Sequence, residues 1–203
     1  MATANQLRLR PADNGRALTL DEFREADEEE GHRYELAGGV LEVTEVPNDP
    51  HGGVVCNLYR ALAQYWRIHP GAIHRFGGAS EFRLWIPAMI SGRNPDVAVV
   101  LRNAPKDVRG RRVPALAVEV VSAGGETRDY VTKREEYLVF GLFEYWVVDP
   151  EAKIVTVLLR DGGSWVERVY KDDQPVESLV LPGFGVTVAE LLAGAEEADG
   201  ASA

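Results

Sequence analysis

Three residues stand where packing alone does not call for them. Asp96 follows Pro95 at the head of the apolar run Val97-Ala98-Val99-Val100, and Glu119 interrupts Leu116-Ala117-Val118-Glu119-Val120-Val121, which otherwise reads as a strand buried on both faces. A buried carboxylate needs a cation, a hydrogen-bonding partner or a raised pKa, so something must sit opposite Glu119. Lys133 is the third. At about 100° per residue along a helix it falls between Tyr137 and Phe140, inside the apolar face, while Thr132, Glu135 and Glu136 point elsewhere. Two readings stay open for it: the stem runs along the sheet to water, or the ammonium reaches in beside the carboxylates. Two carboxylates and a lysine converging at a sheet edge suit metal-assisted phosphodiester hydrolysis. Carboxylate oxygens hold Mg²⁺ through one or two contacts and leave waters and a substrate phosphate to complete the shell. The metal acidifies a water and neutralises transition-state charge, and the lysine positions that water or steadies the charge.

The elements that must position these residues follow from periodicity and caps. Thr19 with Glu22 forms a capping box that opens a short helix ending near Ala26, and a hairpin over 33–36 and 40–46 turns at Gly38-Gly39. From 51 to 68, Val54, Val55, Leu58, Leu62, Tyr65 and Trp66 recur at three- and four-residue steps, which predicts an amphipathic helix that packs on a sheet. β-rich runs follow at 73–76, 79–85, 96–101, 116–121, 144–148, 154–159 and 165–170. A second helix spans 128–140, stopped by Gly141, and a third begins near Val188. The expected fold is α/β (α+β): a central mixed sheet flanked by helices, in one domain over 18–193, with disordered ends at 1–17 and 194–203.

Composition limits the partners. A formal net charge of -10 argues against a phosphate-rich partner, but Arg102, Lys106, Arg109, Arg111 and Arg112 outnumber Asp107 in one loop. That loop joins the two carboxylate-bearing strands and reads either as an ordinary solvated loop or as a grip on a phosphate backbone. No apolar stretch suits a membrane helix and the first residues lack a signal-peptide core, so the expected location is cytoplasmic, with no membrane partner. The single Cys56 excludes an intrachain disulfide and reads as a buried small hydrophobe. Trp66, Trp85, Trp146 and Trp165 read as packing residues. His51 reads as a helix-start residue, and His32, His69 and His74 lack metal-ligand spacing.

Arg33-Tyr34-Glu35-Leu36, Pro50-His51, Pro95-Asp96-Val97, Val118-Glu119-Val120-Val121-Ser122, Arg128-Asp129, Lys133-Arg134-Glu135-Glu136-Tyr137, Glu144 to Pro150 and Leu181-Pro182-Gly183 together resemble the PD-(D/E)XK nuclease superfamily, and within it the Uma-two family. The resemblance runs from about residue 20 to 192 and implies a restriction-endonuclease-like fold. It implies Asp96 and Glu119 as metal ligands, the Val121 carbonyl as a further ligand, and Glu35 as an acid that completes the metal shell or holds the water. The superfamily lysine stands two residues after the glutamate, where this chain has Val121; Lys133 on the following helix takes its place. Further implications are Mg²⁺, with Mn²⁺ as a substitute, DNA as substrate and a homodimer. The chain departs from the family at Gly38, Val40 and Gly52, where acidic or polar residues are common. The alternative reading is a nuclease-fold protein with weak or no turnover that binds nucleic acid or a protein partner.

Overall fold

A computed structural model describes residues 6–46 and 50–194. The centre is a six-stranded mixed sheet in the order Ser164–Lys171, Ile154–Asp161, Glu144–Asp149, Leu116–Val120, Val97–Leu101, Ile73–Gly77. All neighbours are antiparallel except Leu116–Val120 and Glu144–Asp149, which run parallel. A parallel pair needs a crossover, and the segment 128–140 supplies it as a helix. A four-stranded antiparallel sheet, in the order Val40–Glu45, His32–Ala37, Ser91–Arg93, Leu84–Ile86, stands beside it.

Strand alternation explains where each side chain goes. Leu116, Val118 and Val120 face the helix His51–Ile68, whose Val54, Leu58, Leu62 and Tyr65 form its buried stripe. Ala117, Glu119 and Val121 therefore face the other layer, where Ala117 and Val121 share a cluster with Tyr137, Tyr145 and Val147. Position 56 lies about 200° round the helix from Val54, and Cys56 is accordingly exposed rather than buried. The tryptophans pack as expected: Trp146 is wholly buried and Trp66 meets Phe76 edge to face.

Several expectations need correction. Of the disordered end expected over 1–17, residues 1–5 lie outside the described residues, and 6–17 are ordered: Arg8–Leu9 pairs with Asp27–Glu28, and Leu9 is fully buried against Phe23 and Tyr34. Two alternating residues are too few to register as a period, yet one buried leucine anchors them. Of the expected acidic tail, all but Gly194 lies outside the described residues. The 79–85 run divides into a 3-10 turn, Ala79–Phe82, and the short strand Leu84–Ile86. The strand Ser91–Arg93 gave no apolar signal because its burial rests on charge pairing. The crossover helix opens with a π turn, Arg128–Thr132, before its α-helical part Lys133–Phe140, and Gly141 (φ 92°) closes it in the left-handed conformation.

Candidate active site

Asp96 sits where the two sheets meet. Ser91–Arg93 belongs to the small sheet and Val97–Leu101 to the large one, so the chain changes sheet through Asn94-Pro95-Asp96. Gly78 passes so close to this crossing that an added Cβ would lie 2.1 Å from the Asp96 carbonyl oxygen. Asp96 Oδ1 accepts from Arg33 Nη1 at 2.7 Å. Oδ2 accepts from the Val120 amide at 2.8 Å and lies 2.9 Å from His51 Nε2. Burial opposes its ionisation, but His51, Arg33 and Lys133 hold the carboxyl well below the usual carboxylate range.

Glu119 and Lys133 settle the question left open for the lysine. Lys133 is buried, with its ammonium 2.8 Å from Glu119 Oε2, 3.3 Å from Asp129 Oδ1 and 3.7 Å from Glu35 Oε2. It reaches in beside the carboxylates. Burial works against its charge, but Glu119, Glu35, Asp129 and Asp96 keep it protonated. Tyr137 donates to Glu119 Oε1. Burial pushes Glu119 up to about 8; Lys133 pulls it back, while Asp96, Asp129 and Glu35 push the same way as burial.

Glu35 is buried. It accepts from the Asn94 amide, and its Oε2 lies 3.3 Å from Arg93 Nη1. Burial raises its pKa, yet Lys133, Arg93 and Arg33 bring it below the ordinary value. Glu35 stands directly across the hairpin from Glu42, a like-charge pair that would repel. Arg93, wholly buried, reconciles them by bonding Glu35, Glu42 and Glu136 together. Glu136 therefore does not point away, as the helical wheel suggested, but lies buried on Arg93 and Ser91 Oγ. Within the α-helical part Glu136 stands only about 60° from Lys133, so it borders the buried face, and Arg93 opposite gives its carboxylate a partner there.

These residues line a cavity of about 850 Å³ that includes Arg33, Glu35, His51, Asp96, Glu119, Val121, Arg128 and Lys133. The structure thus brings Asp96, Glu119, Lys133, Glu35 and Val121 together. It does not bring the basic loop to them. Asp96 precedes one strand and Glu119 stands near the end of the next, while Arg102, Lys106, Arg109, Arg111 and Arg112 occupy the connection at the opposite ends, about 15 Å away for strands of this length. There Arg111 pairs with Asp107, and Arg102 and Arg112 bond the Pro70 and Ala104 carbonyls. Arg33, His51, Asp129 and Arg93 belong to the site although periodicity gave them no role. Their only signal was position, since Arg33, His51 and Asp129 lie inside motif segments.

Among the described residues, no three His, Cys, Asp or Glu side chains are grouped so as to hold a metal ion. Mg²⁺ needs fewer, since it retains waters and uses one or two carboxylates. Asp96 Oδ1 and both Glu119 oxygens each accept one side-chain bond, leaving a lone pair on each. Asp129 Oδ2 is buried with no hydrogen-bond partner. With Glu119 pushed up by burial and, further, by neighbouring carboxylates, the donor set suits an added divalent cation.

No curated protein matches the chain. A crystal structure described as a putative nuclease belonging to DUF820, from Anabaena variabilis, matches with a TM-score of 0.68 over 86% of this chain and 97% of that one, at 17% identity. The shared fold is restriction-endonuclease-like. The sequence pattern of Uma2, described as "Putative restriction endonuclease", matches residues 20–189, and the chain belongs to that family.

Proposed function

We propose that this chain is a divalent-metal-dependent endonuclease that hydrolyses DNA phosphodiester bonds in the cavity around Asp96, Glu119 and Lys133. The observation that carries the reading is the Lys133 ammonium at 2.8 Å from Glu119, which supports a helix-borne lysine as the counterpart of the superfamily lysine. Family membership and the matched nuclease structure support nuclease chemistry in general. Asp96 and Glu119 would hold Mg²⁺ or Mn²⁺, with the Val121 carbonyl as a further donor, and the ion would supply Lewis-acid polarisation of the phosphate. Lys133, held protonated, positions the attacking water or steadies the charge that grows on the phosphoryl group through its positive potential. Glu35, held ionised, accepts a hydrogen bond from that water and keeps the lysine in place.

The net charge of -10 and the remoteness of the basic loop favour a second reading, a nuclease-fold protein that binds without turnover. Cleavage of supercoiled and single-stranded DNA with Mg²⁺ or Mn²⁺ separates the two, comparing the wild type with Glu119→Ala prepared identically. Metal-dependent nicking that falls by at least about 10²-fold in the variant is the expected result. Equal background in both proteins refutes the nuclease reading and leaves the binding one.

A further inference from the structure

With the basic loop at the far end of the sheet, substrate phosphate must be gripped by something in the cavity itself. The obstacle is charge: Glu45, Glu126 and Glu151 line the same opening as the buried carboxylates, so a phosphate enters against repulsion unless a cation meets it. The fixed cations lining the cavity are Arg33, Arg128 and Lys133. Lys133 is committed, with its side chain only 3% exposed among its carboxylate partners. Arg33 is also committed, with Nη1 on Asp96 and Nη2 on the Asn94 carbonyl.

Arg128 differs. Its side chain is 28% exposed, its contacts to Asp129 and Ser122 are long, at 3.3 and 3.4 Å, and Nη1 makes no hydrogen bond among the described residues. Arg128 and Arg33 line the same cavity as Glu35 and Glu119, and although burial opposes the charge on each guanidinium, these carboxylates favour it. We propose that Arg128 is the phosphate-binding residue of this cavity, presenting the free edge of its guanidinium to a non-bridging phosphate oxygen, with Arg33 adding positive potential behind it. A guanidinium suits this task because its planar donors match two phosphate oxygens at once, whereas an ammonium acts as a point charge. The proposal rests on the phosphodiesterase reading for its role in turnover, but the binding step stands apart from it.

The test is calorimetric titration of metal-free protein with inorganic phosphate. Wild type should bind, Arg128→Ala should bind at least about tenfold more weakly, and Arg128→Lys should fall between them. The Arg109→Ala/Arg111→Ala double variant should match the wild type. If Arg128→Ala fails to fold, the Arg128→Lys comparison decides. The proposal is overturned if the wild type takes up no phosphate, if the Arg128 variants bind as the wild type does, or if the loop variant is weakened as much as they are. With DNA and Mg²⁺, Arg128→Ala should raise KM more than it lowers kcat. Phosphate binding lost in Arg128→Ala without any DNA hydrolysis by the wild type sustains the phosphate site and refutes the nuclease reading. Hydrolysis with phosphate binding indifferent to Arg128 does the reverse.

Discussion

Removing the Lys133 ammonium leaves Glu119, Glu35 and Asp129 buried without their shared cation. Breaking a buried charge pair costs about 3–5 kcal/mol, so Lys133→Ala should lower stability by that amount in urea unfolding as well as lose activity. Unchanged stability would show that the three carboxylates are neutral or hydrated in the folded protein. Asp96→Asn keeps the shape and removes the charge. Mg²⁺ should raise the melting temperature of the wild type, since a ligand of the folded state alone stabilises it, and should leave Asp96→Asn unmoved. An equal shift in both would place the ion elsewhere. Glu119 and Lys133 were legible in the sequence because each broke an apolar pattern, whereas Asp96, at the head of a strand, stood out through the resemblance. Arg33 and His51 were not, because a polar residue at a hairpin or helix start breaks nothing and acquires its role only when the two sheets close on Asp96.

At the scale of elements, Gly78 and Glu144 each hold a segment in place. An alanine at Gly78 would collide with the Asp96 main chain, so Gly78→Ala should displace Asp96 and cut DNA cleavage and stability together, the latter by about 1–3 kcal/mol. Glu144, wholly buried, accepts from Trp146 Nε1 and from the Leu179 and Val180 amides, which ties the 178–181 loop to the central sheet. Burial pushes its carboxyl above the ordinary 4.5 despite those bonds. A carboxyl raised in the folded state resists ionisation, so its contribution is greatest at low pH and is lost as pH rises from 4.5 through the folded value. The stability gap between the wild type and Glu144→Gln, measured by denaturation at pH 4 to 8, should therefore narrow as pH rises. A widening gap would show that the hydrogen bonds outweigh burial. Long elements with a clean period, such as the helix His51–Ile68, were read from the sequence to the residue. Ser91–Arg93 was not, because Arg93 is buried by ion pairs to three glutamates that lie 58, 51 and 43 residues away.

At the scale of the molecule, no helix among the described residues is long and apolar enough to cross a membrane. The two sheets carry different parts of the candidate site. Arg33 and Glu35 come from the small sheet, and Glu119 from the large one. The large sheet is buttressed on both faces by apolar clusters, whereas the hairpin is joined to the site chiefly through charge. Screening weakens exposed pairs more than apolar packing, and of the hairpin's described ion pairs Arg93–Glu42 is the most open to water, through Glu42. Amide exchange in the hairpin 32–45 should accordingly be faster than in the strand Glu144–Asp149, and salt should widen the difference. Uniform protection would mean that the sheets open as one unit. Because the residues of the proposed site straddle this seam, a loosened hairpin would take that site apart while most of the scaffold stays folded. Catalysis would then fade on warming well before the tryptophan signal of the core reports melting.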